Sequence, residues 1–246
     1  MSSILLWPNT NRLPKSPMVE HCSTAWKQIS ELETKSGLSE NETEELDRLR
    51  NIFCLTISAD YQMSKLIPSW GMSPQPGSTY YLQKLSNDIF GIVDHSTGES
   101  QTYIFDERLG PKNSDHTISY IHHYLSCIPP WIKRVHIFLD NAGSTNKNMY
   151  MMAWAMEMVQ HEKFDIVRIS FMIAGHTKFS VDQLFSRIAQ SYNRSDVFTI
   201  AELGKVAEPY CSVVIDQGEI VKEWRNPLAK YTNMPWIRSS HDFSVC

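Results

Sequence analysis

Short apolar runs that stop at an aspartate constrain this chain more than any other feature. Ile52–Asp60 (IFCLTISAD) and Val135–Asp140 (VHIFLD) both end this way, and Ile166–Ala174 (IVRISFMIA) is a third run of the same kind. Runs this short and continuous suit strands of a sheet covered on both faces. Helical patterns separate them: Thr117–Ser126, closed by Pro129–Pro130, the Met- and Ala-rich Asn148–Gln160, and Ser180–Tyr192, capped by Ser180 with Gln183 following. Earlier, the pattern predicts strands over Thr79–Leu85, Asn87–His95 and Gln101–Glu107, with a tight turn at Ser96–Glu99. Strand, hairpin, helix, strand, helix, strand, helix is an α/β order. It implies a mixed sheet with helices on both faces.

Ahead of this lies an α-helical prelude. Residues 1–17 read as irregular and 18–36 as helical. A second helix starts at Ser39, whose capping box is completed by Glu42, with Glu40, Glu44 and Glu45 also on the positive end of the dipole. The division expected is 1–50 for lead-in and helices and 51–246 for the main domain. The end of the chain mixes a helix (Ile200–Val206), a strand (Cys211–Asp216) and a looser tail.

An apolar content of 42% supports a packed core, so bulk disorder is not expected. The net charge of −4 works against a broad grip on a phosphate backbone, which needs a basic surplus. Any such grip must be local, metal-mediated or supplied by another region. The cysteines (Cys22, Cys54, Cys127, Cys211, Cys246) are scattered with no Cys-x-x-Cys, which fits reduced thiols rather than a disulfide framework or zinc finger. No apolar run reaches the ~18 residues of a membrane span, and the start lacks a signal-peptide core, so a nuclear or cytoplasmic protein is expected. Neither a phosphate loop nor a GxGxxG nor a GxSxG elbow is present.

Chemistry concentrates on Asp60, Asp140 and Asp182. Each has a plainer explanation: a strand-exit acid, a turn-forming acid and a first-turn helix acid, respectively. Those explanations weaken together, because all three acids fall on the strand-exit side of one expected sheet. Carboxylates converging there could hold divalent metal, and their hard oxygens suit Mg²⁺ or Mn²⁺. His176, in the Gly-His-Thr turn before Asp182, is a candidate general acid or a hold on the scissile group. Lys147, with Asn146 and Asn148 in DNAGSTNKN, is a candidate phosphate contact. Asp94 and Glu107 read as solvated hairpin acids, with Glu107 a reserve fourth ligand. His122 and His123 read as structural, and Met149–Met158 as core.

These residues fall in blocks that resemble the RNase H-like (DDE-type) catalytic domain of animal transposase-like proteins. The blocks are Asp60-Tyr61-Gln62 with Pro68, the Tyr-rich STYYLQKL with its hairpin, DNAGSTNKN, and GHTKFSVDQLF, spread over roughly residues 50–195. The signature differs at Ala142, where the family has Cys, at Gly143, one place early, and at Thr145, where it has Gln. The resemblance implies an RNase H-like mixed sheet with an N-terminal helical prelude and a metal triad of Asp60, Asp140 and Asp182 with His176 beside it. It further implies a nucleic-acid partner, DNA before RNA, a nuclear setting, no membrane, and room for a homo-oligomer. No separate upstream DNA-binding module is expected in these residues. The activity implied is divalent-metal-dependent phosphodiester cleavage or strand transfer. The alternatives are a catalytically inactive domesticated transposase domain that binds nucleic acid or protein, and a metal-dependent hydrolase of small phosphoesters.

Overall fold

The computed structural model describes residues 4–6, 17–172, 180–231 and 241–246. In chain order the elements are β1 (Ile4–Leu6), α1 (Pro17–Glu33), α2 (Glu40–Ile52), β2 (Leu55–Tyr61), β3 (Lys65–Ile67), β4 (Ser69–Trp70), β5 (Leu85–Asp94) and β6 (Ser100–Asp106). Then come α3 (Ser114–Ser126), β7 (Arg134–Leu139), α4 (Met149–Gln160), β8 (Ile166–Phe171), α5 (Ser180–Tyr192), β9 (Asp196–Val197), α6 (Ile200–Ala207), β10 (Ser212–Ile215), α7 (Arg225–Leu228) and β11 (Asp242–Val245).

One large sheet runs β1-β11-β8-β7-β2-β5-β6-β10, with β3 paired to β5. Its centre is an antiparallel meander, β2-β5-β6, continued in parallel by β7 and β8 on the other side of β2. Helices α3 and α4 carry the crossovers into the parallel strands. This is an RNase H-like mixed sheet flanked by helices, with the helical prelude in front.

Alternation along each strand sorts side chains between two cores. Leu55, Ile57 and Ala59 of β2 and Val135, Ile137 and Leu139 of β7 face one core. There they meet Ile29 of α1, Leu46 and Leu49 of α2, Ile121 of α3, and Met151 and Trp154 of α4. The opposite face packs on α5 and α6 through Ile89, Val93, Val181, Phe185, Ile188 and Leu203. The prelude is thus part of the sheet's own core. Its second helix starts at Ser39 with the capping box expected from the sequence, and Trp26 of α1 stacks on Trp131 at 5.9 Å between ring centres.

Some elements differ from the sequence expectation. Thr79–Leu85 is not a strand. Gly77–Thr79 forms a short 3-10 turn, and Tyr80, Tyr81 and Leu82 are left exposed before β5 begins at Leu85. The Pro76 carbonyl accepts bonds from both the N–H and the hydroxyl of Thr79, which holds the backbone in that turn. The irregular lead-in and loose tail each supply a strand to the β8 side of the sheet: β11 pairs with β8, and β1 pairs with β11 as the edge. Asp94 is buried rather than solvated. Its carboxylate accepts the Ser96 N–H at 2.6 Å and the Tyr124 hydroxyl at 3.4 Å. No disulfide joins Cys54, Cys127, Cys211 and Cys246. Among the described residues no helix is long and apolar enough to cross a membrane.

Candidate functional site

The parallel pairing of β2 with β7 sets Ala59 opposite Leu139. The next residues, Asp60 and Asp140, therefore leave neighbouring strands side by side. Ala59 and Leu139 point into the core under α3 and α4, so alternation turns both acids to the α5 face. The two carboxylates are held alike. Each accepts the N–H of the following residue at 2.7 Å, from Tyr61 for Asp60 and from Asn141 for Asp140.

The third acid arrives with α5. On the other side of Asp60 lies Gly91 of β5. A Cβ at Gly91 would stand 2.7 Å from the Phe185 ring and 3.0 Å from Val181, so the missing side chain is what lets α5 lie this close to the sheet. Asp182 follows Val181 in the first turn of that helix. Gln62 adds a tether, its side-chain amide donating to the Phe185 carbonyl at 2.8 Å.

Electrostatics reports the resulting proximity. The Asp60 carboxyl is pushed up from 3.8 to about 6, chiefly by burial. The Tyr61 N–H opposes the rise, the negative charges of Asp140 and Asp182 add to it, and Lys112 counters it. Three acids from three elements thus share one field. Among the described residues, however, no group of three His, Cys, Asp or Glu side chains is gathered closely enough to hold a metal ion. The donor chemistry still suits a hard divalent cation: the oxygens are all carboxylate, and the Asp60 carboxyl is raised by burial first and then by like charge that a cation would neutralise.

Sequence reasoning missed Lys112. Its ammonium bridges to Asp88 at 3.0 Å, donates to the Gln62 carbonyl at 3.1 Å and sits 5.4 Å from the centre of the Tyr61 ring. It is a fixed cation beside the acids. Its only sequence signal was a lysine in the loop after β6, which is no signal at all without the fold.

The DNAGSTNKN loop spends most of its polar groups on itself. Asn146 is 1% exposed, and its amide donates to the Asp140 carbonyl at 3.3 Å. Asn148 caps α4, its oxygen accepting from the N–H groups of Tyr150 and Met151 at 3.1 and 3.2 Å. Both side chains therefore shape the loop. Lys147 lies 5.8 Å from the centre of the Phe171 ring, half-buried at the end of β8. Glu107 is exposed just past the C-terminal end of β6, at the same end of the sheet as Asp60 but two strands away. His176 lies outside the described residues.

Asp60 carries a pH prediction. A carboxyl whose folded pKa is raised contributes stability that is fully present below its unfolded value and is lost as pH rises through about 6. In chelator, Asp60→Asn should therefore stabilise the fold by about 3 kcal/mol well above pH 6 and change little at pH 4. Thermal melts of both proteins across pH 4–8 check this. A difference that stays flat over that range would remove Asp60 from the shared field.

A strand order of meander then parallel pair, with acids leaving the first and fourth of these strands side by side, defines an RNase H-like α/β protein with an acidic strand-end site. The chain belongs to the family described as domain of unknown function (DUF7869), whose model matches residues 78–245. The match takes in Asp140 and Asp182 and begins after Asp60. No curated protein matches. Among solved structures, a simian T-cell lymphotropic virus intasome in complex with PP2A regulatory subunit B56 gamma is similar at 14% identity and a TM-score of 0.39. That match covers 89% of this chain and 74% of that one. A likeness this slight does not bear on function.

Proposed function

We propose that this domain cleaves or transfers nucleic-acid phosphodiesters with the help of divalent metal, as a transposase-like enzyme. The observation that carries the reading is the pairing of Asp60 with Asp140 at adjacent parallel strand ends, inside the field of Asp182. Asp60 and Asp140 would hold Mg²⁺ or Mn²⁺, with Asp182 as the third acid. The metal would supply Lewis-acid activation of water or a 3′-hydroxyl and stabilisation of the leaving oxygen. Lys112 limits the excess negative charge, and Lys147 is the loop residue offered to a phosphate. DNA is the favoured substrate and the nucleus the favoured compartment, both on the resemblance of the sequence blocks.

A second reading is a catalytically inactive domain that keeps the fold and binds nucleic acid or protein. One observation favours it: the acids are neighbours without forming a ready three-ligand group among the described residues.

Metal titration separates the two. A cation that binds only the folded chain raises its stability by about 2.7 kcal/mol at a hundredfold excess over Kd. The enzyme reading expects Tm to climb with Mn²⁺ or Mg²⁺ and labelled DNA to be nicked over the same concentrations. A Tm indifferent to both metals, with no nicked product, would leave the binding module.

A further inference from the structure

The segment ahead of β5 leaves its largest side chains in water. Tyr81 is 95% exposed, Tyr80 66% and Leu82 60%. Scattered apolar residues on a surface need no explanation, but adjacent aromatics exposed to this degree do. The turn that presents them is held by the Thr79 bonds to the Pro76 carbonyl and by the Leu82 N–H donating to the Thr79 carbonyl. The aromatics are thus displayed on a fixed turn.

Position supplies the occupant. β5 runs antiparallel to β2, so its first residues lie beyond the sheet end from which Asp60 and Asp140 emerge. From Gly91, opposite Asp60, back to Leu85 is about 20 Å at roughly 3.3 Å a residue. Cations line this stretch. Lys84 directly follows the turn, 5.5 Å from the centre of the Trp70 ring, and Lys65 of β3 lies 5.2 Å from the centre of the Tyr192 ring. Of the described acids along this stretch, Asp88 of β5 is bridged to Lys112 at 3.0 Å, and Asp196, reached through β4, accepts from the N–H groups of Met72 and Ser73 and from the Ser73 hydroxyl. Two adjacent exposed aromatic rings, with Lys84 three residues after Tyr81 and Lys65 on the neighbouring β3, match a ligand that carries both flat rings and phosphates. Such surfaces hold unpaired nucleic-acid strands by base stacking with little sequence preference.

We infer that the Tyr80–Tyr81 turn is a stacking platform for unpaired bases, set beside the acid site so that it holds a flanking single strand of the same substrate. This rests on the nucleic-acid reading above, and it predicts a substrate with an unpaired end rather than continuous duplex.

The test uses the full chain in chelator, so that cleavage plays no part. Single-stranded DNA of about twelve nucleotides, within the span such surfaces engage, carries 2-aminopurine, whose fluorescence falls on stacking. Wild type should quench it on binding. The double variant Tyr80→Ala/Tyr81→Ala should bind at least about tenfold more weakly and lose the quench. Tyr210→Ala, at the opposite end of the sheet before β10, should bind like wild type. Matching melting curves establish that all three are folded. Unchanged affinity and quench in the double variant would overturn the platform, as would no strand binding by wild type. Loss of self-association in the double variant with strand binding intact would do the same, by making the turn a contact between copies. Nicking assays keep the two readings apart. Quench without metal-dependent nicking leaves the platform standing while catalysis falls. Nicking by wild type without quench leaves catalysis standing while the platform falls.

Discussion

Asp140→Asn is expected to lower metal-dependent nicking by about a thousandfold while leaving the fold intact. The substitution keeps the side-chain shape and the oxygen that accepts the Asn141 N–H, so the loop into α4 has no reason to move. What it removes is the charge. Lewis-acid stabilisation of a phosphoryl transition state is worth several kcal/mol, and about 4 kcal/mol corresponds to three orders of magnitude in rate. A second consequence follows from the shared field: without the charge of Asp140, the Asp60 carboxyl should titrate lower than its present value of about 6. Single-turnover nicking of a labelled DNA in Mn²⁺ gives the rate, and a melt in chelator gives the fold. Full activity in a folded Asp140→Asn would take this residue out of the chemistry.

Gly91→Val should cost about 1–3 kcal/mol through overpacking, a Tm loss of roughly 2–4 °C for each of those kcal/mol in a domain of this size. Even a single Cβ would meet the Phe185 ring at 2.7 Å and Val181 at 3.0 Å, and a branched side chain adds to the collision. The sheet cannot yield at its centre, so α5 must. Asp182 would retreat with it, and the Gln62 tether to the Phe185 carbonyl at 2.8 Å would lengthen. Activity should then fall by more than stability alone explains. Gly77→Val, in a turn with nothing within 4 Å of the added atom, is the matched control and should be close to neutral. Equal melting curves for Gly91→Val and wild type would mean that α5 is not held against the sheet as described.

Much of this architecture could be read from local pattern. The run VHIFLD reads as a buried strand because it is short and nearly all apolar, and β7 occupies Arg134–Leu139. Ser39 and Glu42 announced a helix start through a bond pattern that depends on neighbouring residues alone. Strand exits at Asp60 and Asp140 were equally local. Their adjacency was not, since it depends on the parallel register of strands separated by the whole hairpin and α3. The strands added beyond β8 illustrate the same limit. Asp242–Val245 is a strand because β8 offers it an unpaired edge, a condition nothing in its own residues states. STYYLQKL fails in the other direction, as aromatic content suggests a strand while the Pro76 carbonyl bonds settle a turn. Gly91 was visible as a lone glycine inside an apolar strand, which is a known mark of close backbone approach. Reading it so would have pointed to α5 in advance.

The account stands or falls on whether the acids form one cation site. Calorimetric titration of Mn²⁺ into the metal-free chain at pH 7.5, where Asp60 is ionised, tests that directly. Saturable binding in wild type is expected, weakened at least tenfold in Asp60→Asn and in Asp140→Asn and again at pH 5. No heat of binding at millimolar Mn²⁺, or the same isotherm in all three proteins, would contradict it.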